Sequence, residues 1–398
     1  MKKFIAFIIV LAIGVCIVNS ETDFFLHIER YIPQLEENNP EVCDIISELS
    51  MDLSDLTDLI PSPAELVAMI KHEEMPIDPS DIAVNAYIEH SPMLSFYTDE
   101  NISVMVNDEG YFSVFGITKS ENKKHLLVRV TDPNGETLDQ TPVSVDGINQ
   151  FNKTIAVPDT EFNELDISIF TGSKPYGNFQ SWVYNYIKFT RDENGIWSIK
   201  KSPVYDHNKE MYEKDKSTSE ALKRTQSIQS ESDGIRTIAS ELTQNCSSNY
   251  DKILALHDWV CSYIRYDLDS VNSGAIPPYF AEEVVTSRSA VCLGFATLYA
   301  ALCRSIDIPC NVVSGYALGV GADTDWSDAT IVTDEQNHAW NEAYVDGRWV
   351  IVDTTWDCSE RIENGEIISD GEVSHLYFDA NIEFFSANHK ILEYSKRR

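Results

Sequence analysis

The sequence is poor in positive charge. It carries 30 Lys and Arg residues against 64 Asp and Glu residues, which gives its 398 residues a formal net charge of -34 at pH 7. A surface this acidic repels phosphate groups, so it argues against binding nucleic acid or anionic lipid through a general basic face. We therefore expect no nucleic-acid partner and interpret the excess charge as a solvated acidic surface.

Long apolar runs are also scarce. The one at the start, MKKFIAFIIVLAIGVCIVNSE, has a basic beginning, an apolar stretch and small residues before a cleavage point near Ser20. This is the layout of a secretory signal peptide, and the apolar stretch is shorter than the about 20 residues that span a membrane. The sequence predicts a signal peptide over residues 1–20, export of the remainder and no membrane span after cleavage. An uncleaved anchor and lipid attachment at Cys16 are the alternatives.

The cysteines lack the spacing of a metal site. No CxxC pair and no Cys/His cluster with zinc spacing occurs, so we expect neither a bound metal nor a cofactor. With Cys16 in the signal, seven of the eight cysteines remain. An odd number leaves at least one thiol unpaired even if the others form disulfides in an oxidising compartment.

The patterning divides the rest of the chain into three regions. Residues 21–90 are acidic and read as short helices broken by prolines. Over residues 91–205, runs of β-branched and aromatic residues alternate with DEG, DPNG and DENG turns, which predicts a β-sandwich of immunoglobulin-like architecture. A polar stretch separates this from residues 206–398, where helices come first and antiparallel strands follow. The fold class predicted for this C-terminal domain is α+β.

One helix of this domain carries a thiol near its start. The run SRSAVCLGFATLYAALCR predicts a helix with Ser289 as N-cap, Cys292 at about the third helical position, and an end before Pro309. The partial positive charge of a helix N-terminus stabilises a thiolate. A cysteine that only packs in the core is the alternative.

Two residues downstream supply what an activated thiol needs. His338 opens the run HAWNEAYV, and Asp353 follows 15 residues later in WVIVDTTW, across a DGR turn that predicts a hairpin. Cross-strand neighbours in a hairpin lie within side-chain reach, so a base and a group that orients it are expected together. Tyr263 and Tyr266, which end the helix before Cys292, are interpreted as packing residues or as neighbours of this site.

The segments AVCLGFATLYAALCRSIDIPCNVVSGYA and NHAWNEAYVDGRWVIVDTTWD resemble the transglutaminase-like superfamily, which includes bacterial cysteine proteases and peptide N-glycanases. The resemblance covers residues from about 235 to 389, and the whole chain looks like exported multidomain bacterial proteins that bear this domain. It implies a papain-like transglutaminase core in which Cys292 is the nucleophile, His338 the general base and Asp353 the residue that orients His338.

The chemistry that this resemblance implies is acyl transfer through a thioester. We interpret the outcome as hydrolysis of a peptide or amide bond, with a peptide or protein substrate in the cell wall or outside the cell. Transfer to an amine, as by a protein-glutamine gamma-glutamyltransferase, is one alternative. A non-catalytic cell-envelope binding protein with a relic triad is the other.

Overall fold

The computed structural model describes residues 94–97, 99–107, 110–177, 179–319, 325–358, 360–363, 366–369 and 372–394. These all belong to one compact unit, Pro79–Arg398. The signal peptide predicted over residues 1–20 and the helical region predicted over 21–90 lie outside the described residues. Among the described residues, no helix is both long and apolar enough to cross a membrane.

Antiparallel strands make up the first half of the described chain. One sheet has the order β1-β2-β5 and the other β4-β3-β6-β7-β8, and alternation builds their buried faces: in β3, Leu126, Val128 and Val130 are buried. The immunoglobulin-like class stays a prediction. The strands are β1 Glu100–Val106, β2 Tyr111–Thr118, β3 His125–Thr131, β4 Thr137–Ser144, β5 Gln150–Ala156, β6 Glu164–Gly172, β7 Gln180–Arg191 and β8 Trp197–Ile199.

Two of these strands have little of the apolar pattern by which strands are predicted. Strand β4, TLDQTPVS, buries Val143 and leaves most of its other residues exposed. Strand β5, QFNKTIA, buries Phe151 and Ile155 and exposes the residues between them. Each pairs along its length with one neighbour, β4 with one register shift opposite Val130 and Thr131, so backbone pairing determines their conformation more than the burial of side chains does.

The second half is α+β, as predicted. Its larger sheet has the order β13-β12-β11-β16; β9 and β10 pair in parallel, and β14 and β15 form a hairpin. The helices are α1 Tyr205–Glu213, α2 Asp233–Thr243, α3 Asn249–Tyr263, α4 Leu268–Ser273, α5 Ala281–Ser287, α6 Cys292–Ser305, α7 Asp328–Val332 and α8 Ile382–Phe385; the strands are β9 Arg265–Tyr266, β10 Ser289–Ala290, β11 Cys310–Ala317, β12 His338–Val345, β13 Arg348–Val352, β14 Glu360–Glu363, β15 Glu366–Ser369 and β16 His389–Tyr394.

Helix α6 is the central helix of this half and begins later than the sequence predicts. Its N-cap is Val291, whose side chain makes no capping bond, and Cys292 is the first helical residue. The prediction of Ser289 as N-cap is wrong because Ser289 and Ala290 form β10, which pairs with β9. That pairing keeps Ser289 extended, three residues short of the helix.

The two halves share one apolar core. Val313, Trp340 and Phe384 of the second half lie in the same buried cluster as Leu126 and Ile169 of the first. A second cluster surrounds α6 and includes residues of α2, α3 and the larger sheet. The larger sheet is therefore packed from both sides, which makes it a rigid support for side chains at its edges.

The middle of β11 has no room for a side chain at Gly315. A Cβ built there would lie 2.1 Å from the carbonyl oxygen of Lys390 in β16 and 2.4 Å from Cη2 of Trp340. The oxygen belongs to the strand that pairs with β11, so it cannot move aside without disturbing the ladder. We expect Gly315→Ala to lower the free energy of unfolding by about 1–3 kcal/mol, measured by urea denaturation.

Gly234→Ala is the matched control for this substitution. Its Cβ would meet nothing closer than Ser232 Oγ at 3.8 Å, and the residue lies within α2. Alanine should therefore be neutral there or stabilising by about 0.5–1 kcal/mol. A similar loss of stability in both variants would contradict the steric argument.

Candidate active site

The thiol of Cys292 is half-buried at the N-terminus of α6. Its N–H has no acceptor within the helix, because the first bonds run from Gly294 and Phe295 to the carbonyl of Val291. Gly294 lets this end of the helix pack closely, since a Cβ there would lie 2.5 Å from the carbonyl oxygen of Pro278. The sulfur therefore lies beside outward-facing N–H groups at a tightly packed helix end.

His338 and Asp353 form a buried pair beside this helix end. His338 Nε2 lies 2.7 Å from Asp353 Oδ2, and the two residues are 5% and 0% exposed. The other oxygen, Oδ1, accepts hydrogen bonds from the backbone N–H groups of Thr355 at 3.0 Å and Trp356 at 3.2 Å. Both carboxylate oxygens are thus bonded, as burial of a charge requires.

The sequence correctly predicts that these two residues meet, but not how. In the β12–β13 register Asn341 pairs with Val352, the last residue of β13, while His338 pairs with Gly315 of β11. Asp353 follows the end of β13 and reaches His338 from the turn. They are therefore not cross-strand neighbours, because β12 extends beyond the end of its partner.

The electrostatics of the pair favour an ion pair. Burial lowers the pKa of His338, but the charge and hydrogen bond of Asp353, with a further bond to Cys292, outweigh it and raise the pKa to about 10. Burial likewise raises the pKa of Asp353, yet its interactions with His338 bring that pKa well below the ordinary value. Because the Nε2 atom of His338 is bonded to Asp353, Nδ1 is the ring nitrogen that remains available to Cys292.

A second histidine, His389, lies against the same carboxylate and was not identified from the sequence. Its Nε2 is 3.3 Å from Asp353 Oδ2 without the alignment of a hydrogen bond, its Nδ1 is 2.6 Å from Asn388 Oδ1, and its ring stacks on Phe385 at 4.0 Å. Burial, and then the neighbouring charge of His338, outweigh Asp353 and lower the pKa of His389 to about 4. Only one of the two imidazoles is therefore charged near neutral pH.

Tryptophans enclose the pair. The rings of Trp340 and Trp356 lie 6.0 Å and 5.5 Å from the ring of His338, and Trp356 lies 4.4 Å from the ring of His389. These contacts are those of packing residues. They also keep water from the imidazoles, which strengthens the electrostatic interactions inside.

The two tyrosines at the end of α3 have different surroundings. Tyr263 stacks on Trp259 with ring centroids 4.4 Å apart and is a packing residue. Tyr266, in β9, pairs with Ala290, two residues before the thiol. Burial, followed by the influence of Cys292 and Cys358, raises the pKa of Tyr266 to about 12. Its hydroxyl therefore keeps its proton at neutral pH.

Across the described part of the chain the cysteines are free thiols. In the same part of the chain, two groups of side chains each bring three atoms that could bind a metal within 4.8 Å of one another. Cys303 and Cys310, at the far end of α6, are buried. One of the groups is His338, Asp353 and His389, whose ligand atoms the ion pair already uses; the other is His257, Asp258 and His375. The free cysteines are Cys246, Cys261, Cys292, Cys303, Cys310 and Cys358.

Residues 236–354, which include Cys292, His338 and Asp353, match the family model described as the Transglutaminase-like superfamily. This part of the chain is a transglutaminase-like core domain. Kyphoscoliosis peptidase of Mus musculus is 30% identical over 159 residues, which cover 40% of this chain and 22% of that protein. The uncharacterized protein YebA of Bacillus subtilis (strain 168) is 29% identical over 129 residues, which cover 30% of this chain and 17% of that protein. The match thus spans about a fifth of each curated relative.

Among solved structures, red sea bream transglutaminase superposes on 66% of this chain and 49% of its own, with 12% identity and a TM-score of 0.25. A TM-score this low supports no conclusion about this chain.

The raised pKa of His338 leads to a direct test. Asp353→Asn removes the charge that opposes the effect of burial, so the pKa of His338 should fall below its ordinary value. In the wild-type protein the imidazole should be protonated at about pH 8, and in the variant it should be neutral. Side-chain ¹⁵N chemical shifts in NMR distinguish the two forms.

Asp379→Asn provides the control for loss of a buried carboxylate. Asp379 is 2% exposed and accepts hydrogen bonds from both terminal nitrogens of Arg348 at 2.6 Å. This variant should lose stability but leave His338 protonated at the same pH. A neutral His338 in the wild-type protein at that pH would contradict the ion pair.

Proposed function

We propose that this chain is an exported thiol enzyme that hydrolyses a peptide or amide bond through Cys292, His338 and Asp353. The observation that carries the proposal is the His338–Asp353 pair, 2.7 Å apart, and Cys292 at the start of α6 also contributes to the raised pKa of His338. Export rests on the signal-like sequence of residues 1–20.

The arrangement supports a two-step reaction. The thiolate of Cys292 attacks the carbonyl carbon, and a thioester forms as the C–N bond breaks and His338 passes its proton to the leaving amine. Neutral His338 then accepts a proton from water as the water attacks the thioester and the C–S bond breaks, which frees the carboxylic acid and restores the thiolate beside a protonated His338. Asp353 keeps Nε2 bonded throughout and stabilises the imidazolium.

Two donors near the sulfur fit the oxygen that becomes negative in each step. The N–H of Cys292 is unpaired within its helix, and we assign the second donor to the hydroxyl of Tyr266. Two exposed apolar side chains belong to segments next to this helix end: Leu293 is 39% exposed, and Ile276 is 86% exposed two residues before Pro278, whose carbonyl lies against Gly294. We therefore expect a peptide substrate with an apolar side chain near the cleaved bond.

Hydrolysis is favoured over transfer to an amine because a curated relative is named a peptidase. The test uses fluorescently labelled casein, assayed both for release of fragments and for incorporation of a biotinylated amine. We expect fragments to be released by the wild-type protein and release to fall by at least about 10³-fold in Cys292→Ala. Incorporation without hydrolysis would establish the cross-linking alternative.

Cys246→Ala is the matched control, since this half-buried thiol lies at the end of α2, away from the site. It should retain full activity. Iodoacetamide at about pH 6 should label Cys292 before Cys246, because only Cys292 faces an imidazolium. If both thiols were labelled equally slowly and the protein showed neither hydrolysis nor amine incorporation, the non-catalytic binding protein would be favoured.

The role of Tyr266 has its own prediction. Tyr266→Phe removes one donor to the developing oxyanion, so kcat should fall by about 10²-fold with little change in KM. Tyr263→Phe, which alters the stacked tyrosine of the same segment, should leave kcat within about 2-fold. Equal effects of the two substitutions would argue for packing alone.

A further inference from the structure

A second cluster of polar side chains lies behind the turn that carries Asp353. His257 and Asp258 are adjacent in α3, and His375 follows the β14–β15 hairpin. His257 Nδ1 lies 2.9 Å and His375 Nε2 lies 2.8 Å from the same oxygen, Asp258 Oδ1. Two imidazole nitrogens and one carboxylate oxygen therefore converge within 4.8 Å of one another, and the proposed reaction uses none of them.

The donor set and its surroundings are those of a transition-metal site. Imidazole nitrogen and carboxylate oxygen suit Zn²⁺ better than Ca²⁺ or Mg²⁺, which prefer oxygen ligands alone. Ligand atoms on one tetrahedral zinc ion lie roughly 3.4 Å apart, so these would need to separate by about 0.5 Å. The Asp258 side chain is 45% exposed and that of His375 is 16% exposed, which leaves a path from solvent and room for a water as fourth ligand.

The outer contacts orient both histidines. His257 is fully buried, and its other nitrogen, Nε2, lies 3.2 Å from Asp357 Oδ2. Asp357 is itself fixed by the backbone N–H of Tyr377, at 3.1 Å and 3.0 Å from its two oxygens. His375 stacks on Tyr97 with ring centroids 4.5 Å apart. A buried carboxylate behind a ligating imidazole is the usual outer shell of a zinc ligand.

We propose that His257 Nδ1, Asp258 and His375 Nε2 bind one Zn²⁺ ion, with a water as the fourth ligand. The ion replaces the protons that the two imidazoles share with Asp258, and its two positive charges balance Asp258 and Asp357. It joins α3 to the segment after the β14–β15 hairpin. Through His257 and its partner Asp357, the ion also stabilises the turn that carries Asp353, because the N–H of Asp357 donates to the carbonyl of Asp353 at 3.1 Å.

Sequence spacing does not reveal this site. Its ligands come from adjacent positions in one helix and from a position 117 residues further along the chain. The expectation of no metal rested on the absence of local cysteine and histidine pairs. That criterion does not detect ligands that are distant in the chain and meet only in the folded structure.

The experiment uses full-length protein carrying Cys292→Ala, so that the thiol of the proposed active site cannot bind the metal. After dialysis against a chelator, we titrate ZnCl₂ by calorimetry and CoCl₂ by visible absorption. We expect one equivalent to bind, a tetrahedral cobalt spectrum, and a higher melting temperature with zinc. Adding His375→Gln or Asp258→Asn should weaken binding by about 100-fold or more.

The matched control adds His338→Gln to the same background, which alters the other group of ligand-type residues instead. Binding should be unchanged. Loss of binding with His338→Gln but not with His375→Gln would place the metal at the active site and overturn the proposal, as would the absence of saturable binding. Circular dichroism checks that each variant folds. Asp258→Asn, at an exposed position, decides the outcome if His375→Gln does not fold.

Discussion

The buried contact between His338 and Asp353 is the constraint on which the architecture of the second half depends. Removing two charges from water costs several kcal/mol for each ion unless the geometry and the remaining hydrogen bonds compensate. Here the imidazole bonds one carboxylate oxygen, and two backbone N–H groups of the following turn bond the other. The turn after β13 is therefore determined by the charge that it must stabilise. Tryptophans close the space around the pair, so the favourable geometry also keeps the charges from being screened.

Strand β11 determines where the histidines lie. His338 pairs with Gly315 on one side of this strand, and His389 pairs with Ala317 on the other. The ring of Trp340 occupies the space that a side chain at Gly315 would fill. It lies 6.0 Å and 5.3 Å from the rings of His338 and His389, which are 5.4 Å from each other. The missing Cβ thus lets one aromatic ring pack against both histidines that share a carboxylate, and this burial helps His389 remain neutral.

Local patterns in the sequence were sufficient to predict helix α6, the β12–β13 hairpin and the meeting of His338 with Asp353, because each depends on periodicity or on residues close in the chain. Cys292 was placed with them by the resemblance. These local patterns did not predict the features that depend on tertiary contacts. Helix α6 starts later than predicted because β10 pairs with β9. Strand β16 was not predicted because its sequence, HKILEY, is short and mixes apolar with charged residues. With β16 unpredicted, nothing indicated that His389, 51 residues after His338, lies against Asp353. Strands β4 and β5 were overlooked because their ladders, more than their side chains, hold them in place.

One turn supports both polar clusters. Asp353 faces His338, and Asp357, four residues later, faces His257; the bond from the N–H of Asp357 to the carbonyl of Asp353 closes the turn. Cys261 of α3 contacts the carbonyl of Thr354 within it, at 3.3 Å. Each buried carboxylate thus has its own imidazole partner, and the backbone between them is too short to let either move alone. A disturbance at His257 should therefore reach Asp353 through the hydrogen bond to Asp357 and four peptide units, without passing through solvent or through α6. This route couples a partly exposed surface cluster to the orientation of the imidazole beside Cys292.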